Sequence, residues 1–211
     1  MHSKHLLMAA FLFISAAAFA QDKKKPDAAP EQAKEEAAAQ ASEEAAKKEM
    51  EAWTAYMTPG AMHKMLASAS GDWRQEVTMW MDPAAPPTKS EAHCSTRMIM
   101  GDRFQESVTE GNMMGMPFNG RSIVGYDNAK KIFQSTWIDN MGTGIMYTEG
   151  PYDPKTNSIT LTGTSVDPVT GKSEKVKEIM KFIDDNTQMM EMYKLVGGKE
   201  IKVMEIKFTR Q

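Results

Sequence analysis

From Asp72 to its last residue, the chain is a succession of strand-length runs separated by turn sequences. In the first run Val77, Met79 and Met81 occupy every second position, which is the period of a β-strand. Turn signals such as Gly101-Asp102 and Gly197-Gly198 separate the later runs, and connections this short join antiparallel neighbours. The later runs fall at about 90–100, 103–113, 117–126, 131–139, 144–149, 158–166, 173–183, 187–195 and 199–210. The sequence therefore predicts a mainly β protein, an antiparallel meander of about ten strands.

Such a meander exposes two edge strands unless it closes on itself. Greek-key sandwiches need long connections between their sheets, whereas the longest connection after Trp73 is the Pro-rich stretch at 82–89. An up-and-down arrangement is therefore favoured. Closure at roughly ten strands leaves an interior wider than packed side chains can fill. We therefore expect a closed antiparallel up-and-down barrel with room for a small ligand.

Residues 1–20 have the pattern of a secretory signal peptide. Lys4 supplies a positive charge, Leu6 to Ile14 is apolar, and Ala18-Phe19-Ala20 is a small-x-small cleavage motif. The apolar run is shorter than the about 20 residues that span a bilayer as a helix. We expect cleavage of this leader and a periplasmic or secreted protein with no membrane span.

Residues 21–51 form a charged low-complexity arm rich in Ala, Glu, Lys and Gln. These residues favour helix but offer little apolar surface, so the arm is interpreted as a solvated, partly helical spacer. A packing face is expected only where larger apolar residues appear, at Met50, Trp53, Tyr56 and Met57. The barrel domain is placed at 52–211.

A short amphipathic helix is predicted at the head of this domain. Thr58-Pro59 is a typical helix start, and Gly71 sits where a helix-terminating glycine belongs. Between them an apolar face follows the i, i+3, i+4, i+7 spacing, through Met62, Met65, Leu66 and Ala69. A helix that leads directly into the first strand is suited to plug the barrel.

The composition of the chain argues against nucleic-acid binding and against a cysteine nucleophile. The net charge is −3, without the basic stripe that nucleic-acid binding requires. The single cysteine, Cys94, cannot form an internal disulfide and is expected to be a small buried hydrophobe. His93 precedes it on the same strand, and strand neighbours project to opposite faces, so the two do not make a nucleophile–base pair.

Gly71-x-Trp73, placed after a short helix and at the head of the first strand, resembles the G-x-W signature of the calycins, which include the lipocalins and fatty-acid-binding proteins. In those barrels the Trp closes the base, and a basic residue near the end of the last strand packs across it. Arg210 matches that residue by position. The resemblance thus implies structural roles for Gly71, Trp73 and Arg210.

Longer strings resemble a family of secreted bacterial proteins catalogued as a domain of unknown function. They lie within residues 50–211 and include Tyr56–Gly60, Gly115–Phe118, Ser135–Gly144 and Met190–Tyr193. This resemblance implies common ancestry and leaves the activity open.

Methionine is over-represented, at 20 of 211 residues. The clusters Met113-Met114-Gly115-Met116 and Met189-Met190-Glu191-Met192 contain soft thioether ligands suited to Cu(I), so a copper-binding protein is one alternative. The other is that these side chains fill gaps and line an adaptable pocket. Because adjacent strand residues face opposite ways, neighbouring methionines do not all point inward.

The small number of histidines argues against haem binding. Only His63 and His93 remain after leader cleavage, and His63, next to Met62, is expected to be exposed. Haem-binding relatives of the calycins carry an axial histidine near the chain end, where this chain has none. No cofactor and no metal site are therefore predicted.

The favoured function is a binding protein for a small apolar or amphipathic molecule, held inside the barrel. The alternative is an enzyme that uses Asp139 as an acid or base, since Asp139-Asn140 interrupts an apolar strand near the expected mouth. A hairpin turn explains the same residues. Side chains expected to line the pocket are Met79, Met81, Met98, Phe104, Phe118, Phe133, Trp137, Met146, Met190 and Met192.

Overall fold

The computed structural model of the protein describes residues 29–81 and 85–211. The chain divides into two compact units, Met1–Lys48 and Glu49–Gln211. The predicted leader, and residues 21–28 of the predicted arm, lie outside the described residues. Helix α1 spans Ala29–Met57, and its residues from 31 onward are exposed.

The packing face predicted at the end of α1 does not form. Met50, Trp53, Tyr56 and Met57 are between 48% and 68% exposed. The segment is instead held through its backbone carbonyls, because these lie within reach of polar side chains from two turns of the barrel. Arg103 Nη2 donates to the Met57 carbonyl at 2.8 Å, and Asn128 Nδ2 donates to the Thr58 carbonyl at 2.8 Å.

Helix α2 spans Ala61–Ser68, with Gly60 as its N-cap, two residues later than the sequence predicted. The shift has a local cause: the Gly60 N–H donates to His63 Nδ1 at 3.0 Å and satisfies the helix start. His63 is 5% exposed, so the prediction that it is exposed was wrong. Burial lowers the pKa of His63 because it disfavours the charged ring, and the neutral ring can accept this bond.

One sheet contains every strand of the described chain. The strands are β1 Gly71–Met79, β2 Thr88–Ile99, β3 Phe104–Met113, β4 Met116–Asp127, β5 Ile132–Asp139, β6 Met146–Gly150, β7 Tyr152–Asp153, β8 Ser158–Val166, β9 Ser173–Asp184, β10 Thr187–Val196 and β11 Lys199–Arg210. β6 and β7 are two pieces of one strand, since they pair with successive parts of β8 on either side of Pro151. The ring therefore has ten strands.

The ring closes where β1 pairs antiparallel with β11. Every other neighbour in the sheet is also antiparallel, and the chain visits the strands in order. The predicted closed up-and-down barrel is confirmed. Strand bounds agree to within about two residues because the turns that separate the strands carry strong local signals, such as Gly197-Gly198, both at positive φ.

Helix α2 lies at one end of the barrel, called the base, and side chains from the strands take up the carbonyls at its C-terminus. Arg210 donates to the Ser70 carbonyl at 2.7 Å and to the Ser68 carbonyl at 2.9 Å. Gln105 Nε2 donates to the Leu66 carbonyl at 2.7 Å, and Trp73 Nε1 donates to the Ala69 carbonyl at 3.1 Å. These bonds satisfy the carbonyls of Ser68, Ala69 and Ser70 at the helix end, whereas the Leu66 carbonyl also accepts the Ala69 N–H at 3.1 Å.

The predicted contact between Trp73 and Arg210 is present. The guanidinium carbon lies 4.3 Å from the centroid of the indole, which is 1% exposed. Gly71 makes the contact possible, because its φ is +133° and a Cβ there would lie 2.7 Å from Arg210 Nη1. Indole, guanidinium and glycine form one unit that joins the first strand, the last strand and α2.

We expect Trp73→Ala to lower the free energy of unfolding by about 3–5 kcal/mol, because it leaves a cavity at the base and removes the cation–π contact. Trp53→Ala is the matched control, since Trp53 is 54% exposed and should change stability by less than about 0.5 kcal/mol. Urea unfolding followed by circular dichroism measures both. Equal small effects would contradict a closed base held by Trp73.

Candidate functional site

The strand register shows which side chains share the barrel interior. Trp73 lies opposite both Cys94 and Arg210, and the same face continues every second residue along β1. Near the base the interior is filled by two apolar clusters, with Met180 packed against both. Their buried members are Trp73, Val77, Cys94, Ile206 and Phe208 in one cluster, and Leu66, Phe133, Ile159 and Leu161 in the other.

The half of the interior away from α2, called the mouth half, is not filled in this way. Many of its side chains point inward by register and are only half-buried, although Thr109, Thr148 and Val176 are buried. The half-buried side chains include Ser107, Ser122, Ser135, Trp137, Met146 and Met192, together with Met190 and Met204, which also pack against the cluster that contains Trp73. Inward side chains that stay accessible mark an unfilled lumen.

The wall of this lumen has two chemically different sides. One is the hydroxyl arc, which consists of Ser107, Ser122, Ser135 and Thr148 on β3 to β6. The other is the methionine arc, which consists of Met79, Met190, Met192 and Met204 on β1, β10 and β11. Four strands separate β4 from β10 in either direction around the ring, so the arcs face each other. Within the described residues only Thr148 of the hydroxyl arc has a side-chain hydrogen bond.

Glu178 is an acidic side chain within the lumen. It points inward from β9, in register with Leu161 and Met192. Thr148 Oγ1 donates to its Oε2 at 3.4 Å, and no ion pair reaches it from the described part of the chain. Burial among apolar neighbours raises the pKa of Glu178. A half-buried carboxyl with a perturbed pKa in a concave space is a candidate site residue.

Sequence reasoning missed Glu178, although a signal was available. On β9 it shares its parity with Val176, Met180 and Phe182, whereas Lys175, Lys177 and Lys181 occupy the other face. An acidic residue on the apolar parity of a strand indicates an inward-facing polar group.

A second charged group lies nearer the mouth. Glu174 points inward, and its Oε2 lies 2.7 Å from Lys194 Nζ. This oxygen is buried but does not have hydrogen-bond geometry with any described residue. The contact is therefore an ion pair without a directed hydrogen bond.

An aromatic pair lines the mouth beside Asp139. The rings of Phe118 and Trp137 are stacked, 6.3 Å apart at 20°. Trp137 lies directly over Gly120, where a Cβ would be 2.4 Å from the indole. Asp139 accepts from Trp137 Nε1 at 2.7 Å and from the Met141 N–H at 2.9 Å. Both carboxylate oxygens thus accept hydrogen bonds from residues two positions away in sequence, which supports the interpretation of this stretch as a hairpin turn.

The barrel wall opens beside the mouth. β2 and β3 are paired as far as Ala92 and Gly111, and β2 continues beyond that point with β1 only. A cleft of about 270 Å³ lies between them. Its lining includes Met79, Thr88, Ser90, Met113 and Met114. Met79 of the methionine arc is therefore accessible from the side.

Eight of the ten side chains predicted to line the pocket point inward. Two of them, Met98 and Phe133, belong to the packed base. The other six lie toward the mouth or the middle of the barrel and are Phe118, Trp137, Met146, Met79, Met190 and Met192. Two predictions of inward placement were wrong. Met81 is 68% exposed, because β1 ends at Met79 and the alternation stops there. Phe104 is 40% exposed on the outer face, where Gly125 leaves space for its ring.

The two histidines do not fit an axial haem ligand in the lumen. His63 is buried in α2, where Nδ1 accepts the Gly60 N–H and the ring packs edge-on against Tyr126. His93 is on the outer face of β2, with Nε2 3.5 Å from Asp72. The methionine clusters are divided by strand alternation, with Met190 and Met192 inward and Met189 outward. The copper alternative stays a prediction.

A carboxyl with a strongly lowered pKa lies outside the lumen. Glu191 accepts from Lys181 at 2.7 Å and from Lys202 at 2.5 Å, and these ammonium groups lower its pKa to about 2. Lys202 also reaches Glu205 at 2.8 Å. This network ties β9, β10 and β11 together on the outer face, which is a structural role.

Together these features define a class of protein: a closed antiparallel barrel, plugged at its base, with an unfilled mouth half. The chain belongs to the family described as "Protein of unknown function (DUF1579)", whose model matches residues 58–210. The crystal structure of Rv2717c from M. tuberculosis is similar, with a TM-score of 0.55 and 14% identity over 73% of this chain and 99% of that one. This likeness establishes the fold. No curated protein sequence matches the chain.

None of the described helices is both long and apolar enough to cross a membrane.

We expect Glu178→Gln to raise stability at pH 7.5 and to have little effect at pH 4. Because the folded protein holds this proton to a higher pH than the unfolded chain, stability falls as pH rises from about 4.3 through the raised pKa. The neutral amide removes that loss. Thermal unfolding of both proteins across this pH range measures the difference. A stability gain that is equally large at pH 4 would show that ionisation of Glu178 is not its cause.

Proposed function

We propose that the protein is a periplasmic or secreted binding protein that holds a small apolar or amphipathic molecule in the mouth half of its lumen. The observation that carries the proposal is the set of inward side chains that remain half-buried, above all the three serines of the hydroxyl arc and the methionine arc. Burial of an apolar group against these methionines would be favourable, at roughly 25 cal/mol per Å². The pattern of a secretory leader at residues 1–20 supports the compartment.

The contrast between the two halves supports binding at the mouth. At the base, Trp73 and Phe133 are almost completely buried, so no room is left there. Along the hydroxyl arc, the inward positions beyond the base carry serine and threonine, whose side chains are too small to reach the opposite wall of a ten-stranded ring. Pockets of this kind, mostly apolar with a few polar groups, are typical of small-molecule sites.

Binding is favoured over catalysis by the state of the candidate acid–base residue. Both oxygens of Asp139 already accept hydrogen bonds within its own turn. A general base needs an oxygen directed at the substrate proton. The geometry of Asp139 therefore supports a structural role at the mouth.

The neutral fluorophore N-phenyl-1-naphthylamine tests the proposal directly. We expect its fluorescence to rise on binding the purified protein and Ser122→Trp to abolish the rise, because the indole would occupy the lumen. Ile123→Trp is the matched control, since Ile123 is the next residue on β4, faces outward and is 44% exposed. The control should bind the dye as the wild type does.

Two results would contradict lumen binding. One is a wild-type protein that does not bind the dye. The other is equal loss of binding in the two tryptophan variants, with circular dichroism showing that both are folded. Native mass spectrometry of protein purified from its own host would then identify any molecule that is retained.

A further inference from the structure

We infer that the lumen selects amphipathic molecules whose polar group is a positively charged ammonium. The inference deepens the proposed function, because it concerns which ligand the same lumen takes. It rests on the distribution of charge and aromatic rings along the inner wall.

The inward-facing charges are unbalanced. On the described strands the acidic side chains that point inward are Asp139, Glu174 and Glu178. The basic side chains on this face are Lys194, which lies 2.7 Å from Glu174, the exposed Lys199 at the start of β11, and Arg210, which donates to carbonyls at the base. The mouth half therefore has more negative than positive charge. A carboxylate ligand would meet like charge there, which disfavours its ionised form.

Among the inward-facing carboxyl groups, Glu178 would be stabilised most by a bound cation. Its only side-chain partner among the described residues is Thr148, at 3.4 Å, and its neighbours Leu161, Met180 and Met192 are apolar. A half-buried carboxylate without a cation is costly, and a bound ammonium offsets this by charge and by up to three hydrogen bonds. Burial raises the pKa of Glu178, although the hydrogen bond from Thr148 acts in the opposite direction.

The rest of the lumen suits the same ligand. The stacked rings of Phe118 and Trp137 can face a cation, and Asp139 accepts the indole N–H of that pair. The serines of the hydroxyl arc can accept further ammonium protons. The methionine arc opposite offers flexible apolar contacts for a hydrocarbon chain. The wall thus combines a polar, negatively charged side with an apolar one.

The test compares octylamine, octanol and octanoate by isothermal titration calorimetry at pH 7.5. The three probes share one alkyl chain and differ in charge. We expect octylamine to bind at least about tenfold more tightly than octanoate, since hydrogen bonds to charged groups contribute about 1.5–3 kcal/mol. Octanol should lie between them.

Variants assign the preference to Glu178. Glu178→Gln should weaken octylamine about tenfold or more by the same reasoning, leave octanol nearly unchanged and strengthen octanoate. The control is Glu110→Gln, because Glu110 is exposed on the outer face of β3 and should affect none of the three. Wild-type affinity for octylamine should also fall as pH drops through the pKa of Glu178, and this pH dependence should disappear in Glu178→Gln.

The outcomes separate this inference from the proposed function. Octanoate that binds as tightly as octylamine, or an octylamine affinity unchanged in Glu178→Gln, would overturn the ammonium preference while dye binding leaves the lumen site intact. If N-phenyl-1-naphthylamine binds but octylamine does not, the preference is also overturned. If neither the dye nor any octyl probe binds, both proposals fail.

Discussion

The base of the barrel depends on hydrogen bonds from strand side chains to the carbonyl groups at the C-terminal end of α2. Arg210, Gln105 and Trp73 donate to carbonyls of α2 and the residues after it, and these donors come from the last, third and first strands. A positive guanidinium at a helix C-terminus is also favoured by the helix dipole. One short helix end thus holds together strands that lie far apart in sequence, and it can do so only when β1 and β11 are paired.

This closure divides the interior into a filled base and an accessible mouth half. Trp73 and Phe133 fill nearly all of the space at the base, whereas serines, glycines and half-buried methionines line the mouth half. Glu178 is held in this second region at a cost to stability. Residues that lower the stability of the folded protein are typical of functional sites.

Much of the fold could be predicted because its determinants are local. The two-residue period, the turn residues and the Pro-rich stretch after Met81 are properties of short segments, and they were sufficient to place the strands. The contact of Trp73 with Arg210 follows from the order of the strands once closure is assumed. Errors arose where a local pattern ended early, as at Met81, or where a side chain bonded its own helix start, as at His63.

The sequence by itself determined the strands, the closed ring, the plugging helix and most of the inward-facing set, because alternation along a strand is a local property. Only the tertiary structure decided that the hydroxyl arc lies across from the methionine arc, and that no described residue forms an ion pair with Glu178. The physical reason is that the environment of an inward side chain is made by strands paired through register and by strands across the lumen. No single segment of the chain contains that arrangement.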